Sequence, residues 1–351
     1  MLTLEYIPYT LELKHVFRIS RGSRSTAPEM LVRIGFEGTY GIGEASMPPL
    51  YGESQASALA FLSKVDLSTF DNPFETERIL GYIDGLMPGN PAIKAAIDIA
   101  LHDLIGQLLQ LPVHQYLGLP FQQHATSMTI GIDTPQAMAA RALEFAEFTY
   151  LKIKLGTPDD KACIRAIREV SKQPLFIDAN QGWTDKEAAL DFIHWLNQQD
   201  TVFIEQPMPR DQKADIAWLS SRSPLPIIGD EGVQRLADIQ EASGIYNGIN
   251  IKLMKSTGIR EGYKMATTAK ALGMKVMLGC MSETSCAISA AAHLGALADW
   301  VDLDGNLDAR NDPFQGVRVQ QGKLIDSGYA GLGLMDPKWE QIPADQIPEH
   351  Q

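Results

Sequence analysis

Three acidic residues follow three consecutive short apolar segments in the second half of the chain. They are Asp178 in FIDAN, Glu205 in FIEQP and Asp230 in IIGDE. If these segments are successive strands of a parallel barrel, the carboxylates meet at the mouth where barrels hold their reactive groups. Three carboxylates brought together without a cation would repel one another and raise their pKa values. Oxygen ligands without histidine or cysteine favour Mg²⁺, with Mn²⁺ also suitable, so the sequence predicts a metal site.

Lysine residues flank the acidic segments on both sides. Lys152 and Lys154 in LKIKLG come one segment earlier, and Lys252 in INIKLMK comes one segment later. Residues two apart on a strand share one face, and two neighbouring ammonium groups lower the pKa of one of them. A lysine can then act as a base near neutral pH. Taken alone, Lys252 could equally form a salt bridge to one of the carboxylates.

Together these groups suit the removal of an α-proton from a carboxylate substrate. A lysine takes the proton, and a cation stabilises the enolate that forms. Two other classes of function stay open. A lysine at a barrel strand end can be the nucleophile of a Schiff-base aldolase. A degenerate barrel could also bind metal and peptide without catalysis, although the intact lysine pair argues against that.

The elements that would position these residues repeat along the chain as in a (β/α)₈ barrel. From about residue 125, eight short apolar runs alternate with helical patterns. The runs are ATSMTIGI, YLKIKLG, PLFIDAN, VFIEQP, LPIIGDE, GINIKL, KVMLGC and WVDLDG. The key residues that end successive runs lie 22 to 28 residues apart, which is the length of one strand–helix unit. The runs are apolar throughout, as expected for parallel strands buried on both faces.

The rest of the chain is predicted to form an α+β cap. Residues 1–120 contain a half-buried strand in LTLEYIPYTLEL, a hairpin around Gly38, and helical patterns at 54–66, 73–84 and 91–109. The barrel is predicted over residues 121–312. Residues 313–351 are predicted to leave the barrel and return to the cap.

Composition limits which binding partners and which cellular compartment are expected. With 351 residues and 45% hydrophobic content, the chain can build a large core. A net charge of -13 argues against nucleic acid and anionic membrane as partners. The three cysteines form no CxxC pair, which predicts a reducing cytoplasmic compartment. A homo-oligomer stays open.

In this combination the chain resembles the enolase superfamily, in its muconate-lactonising subgroup. The resemblance covers nearly the whole chain and rests on the KxK motif, the three acidic residues and NIKLMK. It implies that Lys154 and Lys252 are catalytic groups on opposite faces of the substrate α-carbon, with Lys152 tuning the pKa. It also implies that the acidic residues are Mg²⁺ ligands. Their neighbours would be hydrogen-bonding residues of the metal site: Asn180, Gln206 and Glu231.

Two further segments bear on the substrate. Asp302 and Asp304 in DLDG look like the pair that holds the substrate ammonium group in dipeptide epimerases. Residues 17–29 and 47–54 occupy the positions of two specificity loops, and RGSRS and YGES are similar to those of Ala-Glu epimerases. The resemblance implies that Arg24, or alternatively Arg21, binds the side-chain carboxylate of a glutamyl residue. It also places Tyr51 in the substrate pocket.

The implied activity is Mg²⁺-dependent epimerisation of L-Ala-D/L-Glu, a small dipeptide found in bacterial cell-wall peptide. The implied role is in murein recycling or peptide catabolism. On the same scaffold, o-succinylbenzoate synthase and muconate cycloisomerase are the alternatives. Neither of these reactions binds a substrate ammonium group, which makes the acidic pair in DLDG less expected for them.

Overall fold

The computed structural model describes residues 1–19, 22–335 and 337–345. The chain begins with a three-stranded antiparallel sheet in the order β1-β2-β3. Its strands are β1 (Thr3–Ile19), β2 (Gly22–Phe36) and β3 (Thr39–Ser46). The predicted hairpin around Gly38 is confirmed, since Phe36 pairs with Thr39 and Gly38 has a φ of 83°.

In the 17–29 segment, the described residues 17–19 and 22–29 are extended rather than a free loop. Phe17 pairs with Arg24 and Ile19 with Gly22, so that β1 and β2 continue as a hairpin beyond the sheet. The register shifts between Glu12 and Phe17, where the pairing of the two strands is interrupted. Antiparallel backbone hydrogen bonds therefore organise a stretch that the resemblance predicted to be a specificity loop.

Four helices follow in the cap. They are α1 (Gln55–Leu62), α2 (Thr76–Leu86), α3 (Pro91–Leu109) and α4 (Val113–Tyr116). Helix α3 packs directly against β3, and the contact needs glycine on the strand. A Cβ atom on Gly43 would lie 1.9 Å from the carbonyl oxygen of Ala96, and one on Gly41 would lie 2.2 Å from that of Ala100. Within the described residues, no helix has the length and apolar character needed to cross a bilayer.

All eight predicted runs are strands of one parallel sheet. They are β4 (Ser127–Ile130), β5 (Tyr150–Lys154), β6 (Leu175–Asp178), β7 (Thr201–Glu205), β8 (Ile227–Gly229), β9 (Gly248–Ile251), β10 (Lys275–Gly279) and β11 (Trp300–Asp302). The strands are ordered as in the chain, and a parallel bridge between Thr126 and Val301 brings the first and last together. The predicted barrel and cap are confirmed.

Helices connect the barrel strands. They are α5 (Pro135–Glu144), α6 (Asp160–Val170), α7 (Lys186–Asn197), α8 (Lys213–Ser220), α9 (Ile239–Ala242), α10 (Ile259–Ala271) and α11 (Ser285–Ala292).

A separate apolar cluster fills the barrel and determines which strand positions face the mouth. It contains Phe176, Phe203, Ile228 and Met277, all with no exposed surface. Inward-facing residues recur every second position along a strand. The residues two positions after the first three are Asp178, Glu205 and Asp230. The apolar layer therefore forms a dry floor directly beneath the three carboxylates.

The C-terminal segment leaves the barrel and contacts the cap. Ala309 bridges Leu13 of β1, and the Arg310 amide donates to the Glu12 carbonyl at 2.8 Å. A small hairpin, β12 (Arg318–Gln320) and β13 (Lys323–Ile325), then lies beside the start of β4. These contacts bring the chain after β11 back to the cap.

Candidate active site

The three acidic residues meet at the carboxyl-terminal mouth of the barrel. Asp178 and Glu205 end β6 and β7 and pair with each other in register, and Asp230 follows β8 directly. One carboxylate oxygen from each lies within 4.8 Å of those of the other two. All three side chains are buried, with relative exposures of 0%, 0% and 1%. The arrangement is the one expected of a metal site.

Lys152 lies in the middle of these acidic groups. Its Nζ is 2.8 Å from Glu205, 3.3 Å from Asp178 and 2.7 Å from Asp302. Burial would lower the pKa of Lys152, but the carboxylates, led by Asp302, outweigh it and raise the pKa well above its usual value. Lys152 is therefore a fixed positive charge at the centre of the site.

Lys154 and Lys252 approach the acidic cluster from its two sides. Lys154, at the end of β5, places Nζ 2.6 Å from Asp178. Lys252, which follows β9, places Nζ 2.8 Å from Asp230. Burial would lower the pKa of Lys252, but nearby Asp230 more than offsets this and the pKa is raised. The pKa lowering expected for one lysine of the Lys152 and Lys154 pair is thus not seen for Lys152, because carboxylates are its nearest charged neighbours.

The donor set fits a hard divalent cation. Burial and the neighbouring Asp178 raise the pKa of Glu205 to about 7. Asp178 and Asp230 have lowered pKa values, because adjacent lysines outweigh the effect of burial. The three carboxylates lie on an apolar layer and repel one another strongly. Mg²⁺ or Mn²⁺ bound between their oxygen atoms would relieve this repulsion. A cation would compete with Lys154 and Lys252, the lysines on the cavity side, for carboxylate oxygen atoms.

The neighbours predicted from the sequence contact the ligands or the segments that carry them. The side-chain oxygen of Gln206 accepts hydrogen bonds from the Asp230 amide at 2.9 Å and the Gly232 amide at 3.0 Å. The Asn180 amide donates to the Asp178 carboxylate at 2.8 Å. The Asn180 side chain donates to Glu231 at 3.4 Å. These bonds hold the strand-end turns that present the carboxylates.

Lys255 and Asn250 belong to this set although the sequence did not point to them. Lys255 Nζ donates to the Asp230 carboxylate at 2.6 Å and also to the Asp230 carbonyl at 2.6 Å. It donates further to the carbonyls of Val233 and Asn250. The Asn250 side chain donates to Glu205 at 2.8 Å. Lys255 therefore fixes one oxygen of Asp230, while Lys252 contacts the other.

Replacing Lys255 with methionine should weaken metal binding more than folding. We expect the Mg²⁺ dissociation constant to rise about 10- to 100-fold, which is typical when a partner of a metal ligand is lost. Isothermal titration with Mg²⁺ and the Mg²⁺ dependence of turnover would measure this. Excess Mg²⁺ should restore most of the turnover. A variant that binds Mg²⁺ as the wild type does would contradict the role of Lys255.

The two acidic residues of DLDG have different surroundings. Asp302 is engaged through both carboxylate oxygens, with Ser127 Oγ at 2.7 Å on one and Lys152 on the other. Asp304 accepts a hydrogen bond from the Thr129 amide at 2.7 Å on one oxygen and a long, weak one from the Cys280 thiol at 3.8 Å on the other. Burial, followed by Asp302, raises the pKa of Asp304 to about 6. Asp304 is thus the member of the pair with more capacity to accept a further cation.

One cavity of about 560 Å³ joins these groups to the cap. Its walls include Lys154, Lys252, Asp304, Arg24 and Tyr51. That volume is sufficient for a small-molecule ligand. Burial, then Asp230, raises the pKa of Tyr51 well above its usual value, so that Tyr51 is a neutral phenol.

Arg24 lies across the cavity from the barrel floor, at the cap side. Its guanidinium lies over the Phe17 ring at 5.5 Å, and Lys154 Nζ is 5.9 Å from the same ring. The competing candidate, Arg21, falls outside the described residues. The described positions predicted from the sequence are therefore gathered around one cavity or directly behind its wall.

Family models match most of the chain. A model described as "Enolase C-terminal domain-like" matches residues 136–334. A second, described as "Mandelate racemase / muconate lactonizing enzyme, N-terminal domain", matches residues 5–118. The chain belongs to the enolase superfamily. Its cap and barrel are the N-terminal and C-terminal domains of that superfamily.

Similar members of the superfamily are dipeptide epimerases. An L-Ala-D/L-Glu epimerase of Bacteroides thetaiotaomicron is 51% identical over 334 residues, covering 95% of this chain and 87% of the relative. The structure of a dipeptide epimerase of Enterococcus faecalis, complexed with Mg and L-Leu-L-Tyr, has a TM-score of 0.87 and 35% identity, with 95% and 98% coverage. A substrate-liganded L-Ala-D/L-Glu epimerase of Bacillus subtilis has a TM-score of 0.88 and 31% identity, with 95% and 98% coverage.

Proposed function

We propose that this protein is a Mg²⁺-dependent dipeptide epimerase that inverts the α-carbon of the C-terminal residue, with L-Ala-D/L-Glu as substrate. The observation that carries the proposal is the position of Lys154 and Lys252. They reach one buried carboxylate cluster from opposite sides of the same cavity. Epimerisation needs one group to remove a proton and a second group to return it from the other face. The similar epimerases named above support the substrate.

The roles of the residues follow from this placement. The substrate carboxylate would lie at the mouth, over Asp178, Glu205 and Asp230. Bound by these residues, Mg²⁺ would supply positive charge that stabilises the negative charge developing on the substrate carboxylate. In one direction Lys154 takes the α-proton and Lys252 gives one to the opposite face. In the other direction the two lysines exchange roles. Lys152 keeps its proton and adds fixed positive charge.

The two ends of the cavity would select the dipeptide. A carboxylate at the Asp304 end suits the α-ammonium group, and the guanidinium of Arg24 suits a glutamyl side chain. An ammonium site has no purpose in o-succinylbenzoate synthase or muconate cycloisomerase. A Schiff-base aldolase needs a neutral lysine as nucleophile. The raised pKa of Lys152 disfavours it as that nucleophile.

We also propose that the protein works in the cytoplasm, on dipeptides released from cell-wall peptide. Cys163, Cys280 and Cys286 are all free. Unpaired cysteines are typical of a reducing compartment.

The direct test is isotope exchange in D₂O with Mg²⁺. L-Ala-L-Glu should take up deuterium at the glutamyl α-carbon and give L-Ala-D-Glu, and EDTA should stop both reactions. Dipeptides that pair L-Ala with neutral, apolar or cationic residues serve as a specificity panel. Absence of exchange with every dipeptide would refute the proposed function. Formation of o-succinylbenzoate from its precursor would favour the alternative on this scaffold.

Asp304 provides a separate prediction for the ammonium end. Replacing Asp304 with asparagine keeps an acceptor for the Thr129 amide but removes the charge. We expect KM for L-Ala-L-Glu to rise by about 10- to 100-fold, since charged hydrogen bonds contribute about 1.5–3 kcal/mol. The N-acetylated dipeptide, which lacks the ammonium group, should be affected far less. Equal losses for both compounds would show that Asp304 does not bind the ammonium.

A further inference from the structure

Three buried glutamates lie between the cap sheet and the barrel, behind the cap side of the cavity. Glu29 is on β2, Glu44 is on β3 and Glu283 is in the turn after β10, with exposures of 0%, 0% and 2%. Glu44 accepts hydrogen bonds from the Thr284 amide at 2.7 Å and the Ala287 amide at 3.1 Å. Glu283 accepts one from the Met281 amide at 2.9 Å. Neither carboxylate oxygen of Glu29 has a hydrogen-bond partner among the described residues.

The turn that carries Glu283 also holds Arg24. Arg24 Nη2 donates to Ser282 Oγ at 3.0 Å, and the Ser46 hydroxyl donates to the Ser282 carbonyl at 2.7 Å. The Nε of Arg24 is buried and lacks a hydrogen-bond partner within the described part of the chain. Nor does Arg24 form an ion pair with any described carboxylate. A partly buried guanidinium whose Nε has no hydrogen-bond partner among the described residues can therefore donate to a carboxylate of a ligand.

The carboxyl groups near Arg24 would compete with a ligand carboxylate for its guanidinium if they were ionised. Burial, followed by the effect of Glu44, raises the pKa of Glu283 to about 8. Burial also raises the pKa of Glu29 well above its usual value. The charged or titratable groups facing Glu283 are Glu44 and Glu29 from the cap sheet, Arg24 from β2, Lys252 from beyond β9, and Cys280 from its own turn. At neutral pH Glu283 is a neutral acid, and the charge of Arg24 is not cancelled by it.

We propose that Glu283 is a positioning residue that determines specificity through Arg24. When Glu283 is protonated, Arg24 is free to bind an acidic side chain of the substrate. When Glu283 is ionised, it competes with that side chain for Arg24. The proposal rests on the proposed function, because it takes Arg24 as the group that meets the glutamyl carboxylate. Its consequence is a preference that depends on pH. Since the pKa is raised, Glu283 is uncharged below about pH 8 and becomes anionic above it. The preference for acidic over neutral side chains should fall as pH rises through that range.

The test compares two nearly isosteric substrates, L-Ala-L-Glu and L-Ala-L-Gln, between about pH 6.5 and 9.5. Titration of Lys154, Lys252 or Asp304 affects both dipeptides alike and cancels in the ratio of their kcat/KM values. In the wild type, this ratio should fall by about five- to tenfold across the range, as expected for one added charge near a binding arginine. Glu283→Gln keeps an acceptor for Met281 and should hold the ratio constant. The surface variant Glu241→Gln, whose side chain is 62% exposed, should behave as the wild type.

Other outcomes separate the two proposals. A ratio that is constant with pH in the wild type, or that falls equally in Glu283→Gln, overturns the role of Glu283 while the epimerase function stands. Failure to turn over either dipeptide overturns L-Ala-D/L-Glu as the substrate of the proposed function. Arg24→Met gives a second measurement if Glu283→Gln does not fold. Its ratio should be low and independent of pH, and an unchanged preference would show that Arg24 is not the carboxylate anchor.

Discussion

Replacing Lys154 with alanine is expected to abolish epimerisation of L-Ala-D/L-Glu, with kcat falling by about 10³-fold or more. Positioned acid–base groups contribute about 10²- to 10⁴-fold each, and inversion stops if either face lacks its group. Lys252→Ala should have the same effect on inversion. Chiral analysis of the product after long incubation would measure both losses.

The two variants should differ in deuterium exchange. The variant that keeps Lys252 can still remove the α-proton from one stereoisomer, and the variant that keeps Lys154 can do so from the other. Each variant should therefore exchange the α-proton of one epimer at the glutamyl centre without inverting that centre. If both variants exchanged both stereoisomers, or if either kept full turnover, a two-lysine mechanism would be wrong.

A matched lysine on the same barrel provides the control. Lys275 begins β10 at the opposite end of the strands, pairs with Asp299 at 2.9 Å and has a side chain that is 53% exposed. Lys275→Ala should leave turnover within about twofold of the wild type, since exposed ion pairs contribute little. The comparison separates a site effect from a general loss of a barrel lysine.

The barrel could be predicted because its signals are local and repeated. Each strand is a short apolar run buried on both faces, and each run ends in a residue that faces the mouth. That regularity placed Asp178, Glu205 and Asp230 together, with Lys154 and Lys252 beside them. The strand period also separates these polar residues from the apolar layer around Phe176 and Phe203.

The contacts between the cap and the barrel had no such local signal. Glu44 and Thr284 are 240 residues apart in the chain, yet they hydrogen bond in the core. Arg24 and Ser282 are 258 residues apart. Residues 17–29 look like a polar loop, because their pairing depends on a partner strand rather than on their own pattern. Such pairings become visible only when the fold is known.

The electrostatics of Lys152 show a different limit. Two lysines on one strand face predict mutual repulsion and a lowered pKa. The prediction left out Asp302, which arrives from β11 and is 2.7 Å from Lys152 Nζ. Glu205 adds a second close negative charge. Attraction to these carboxylates at less than 3 Å exceeds repulsion from a neighbouring lysine. The pKa of Lys152 is therefore raised instead of lowered.

The acidic cluster carries the second large prediction, that Glu205→Gln removes both Mg²⁺ binding and activity. Glutamine keeps an acceptor for Asn250, which donates to Glu205 at 2.8 Å, but lacks the negative charge that a hard cation requires. We expect turnover to fall at least about 10²-fold at any Mg²⁺ concentration, because the charge that stabilises the enolate is lost. This differs from Lys255→Met, whose turnover should recover when Mg²⁺ is raised.

Thermal unfolding with and without Mg²⁺ tests the same site without relying on catalysis. A ligand that binds only the folded state stabilises it by about 2.7 kcal/mol at 100 times its dissociation constant, so Mg²⁺ should raise the wild-type Tm by several degrees. Glu205→Gln should lose that increase. The control Glu187→Gln alters an exposed acidic residue in the first turn of α7 and should keep it. An equal Mg²⁺-dependent increase in Glu205→Gln and the wild type would place the cation elsewhere. The three carboxylates would then serve mainly to balance the charges of Lys152, Lys154 and Lys252.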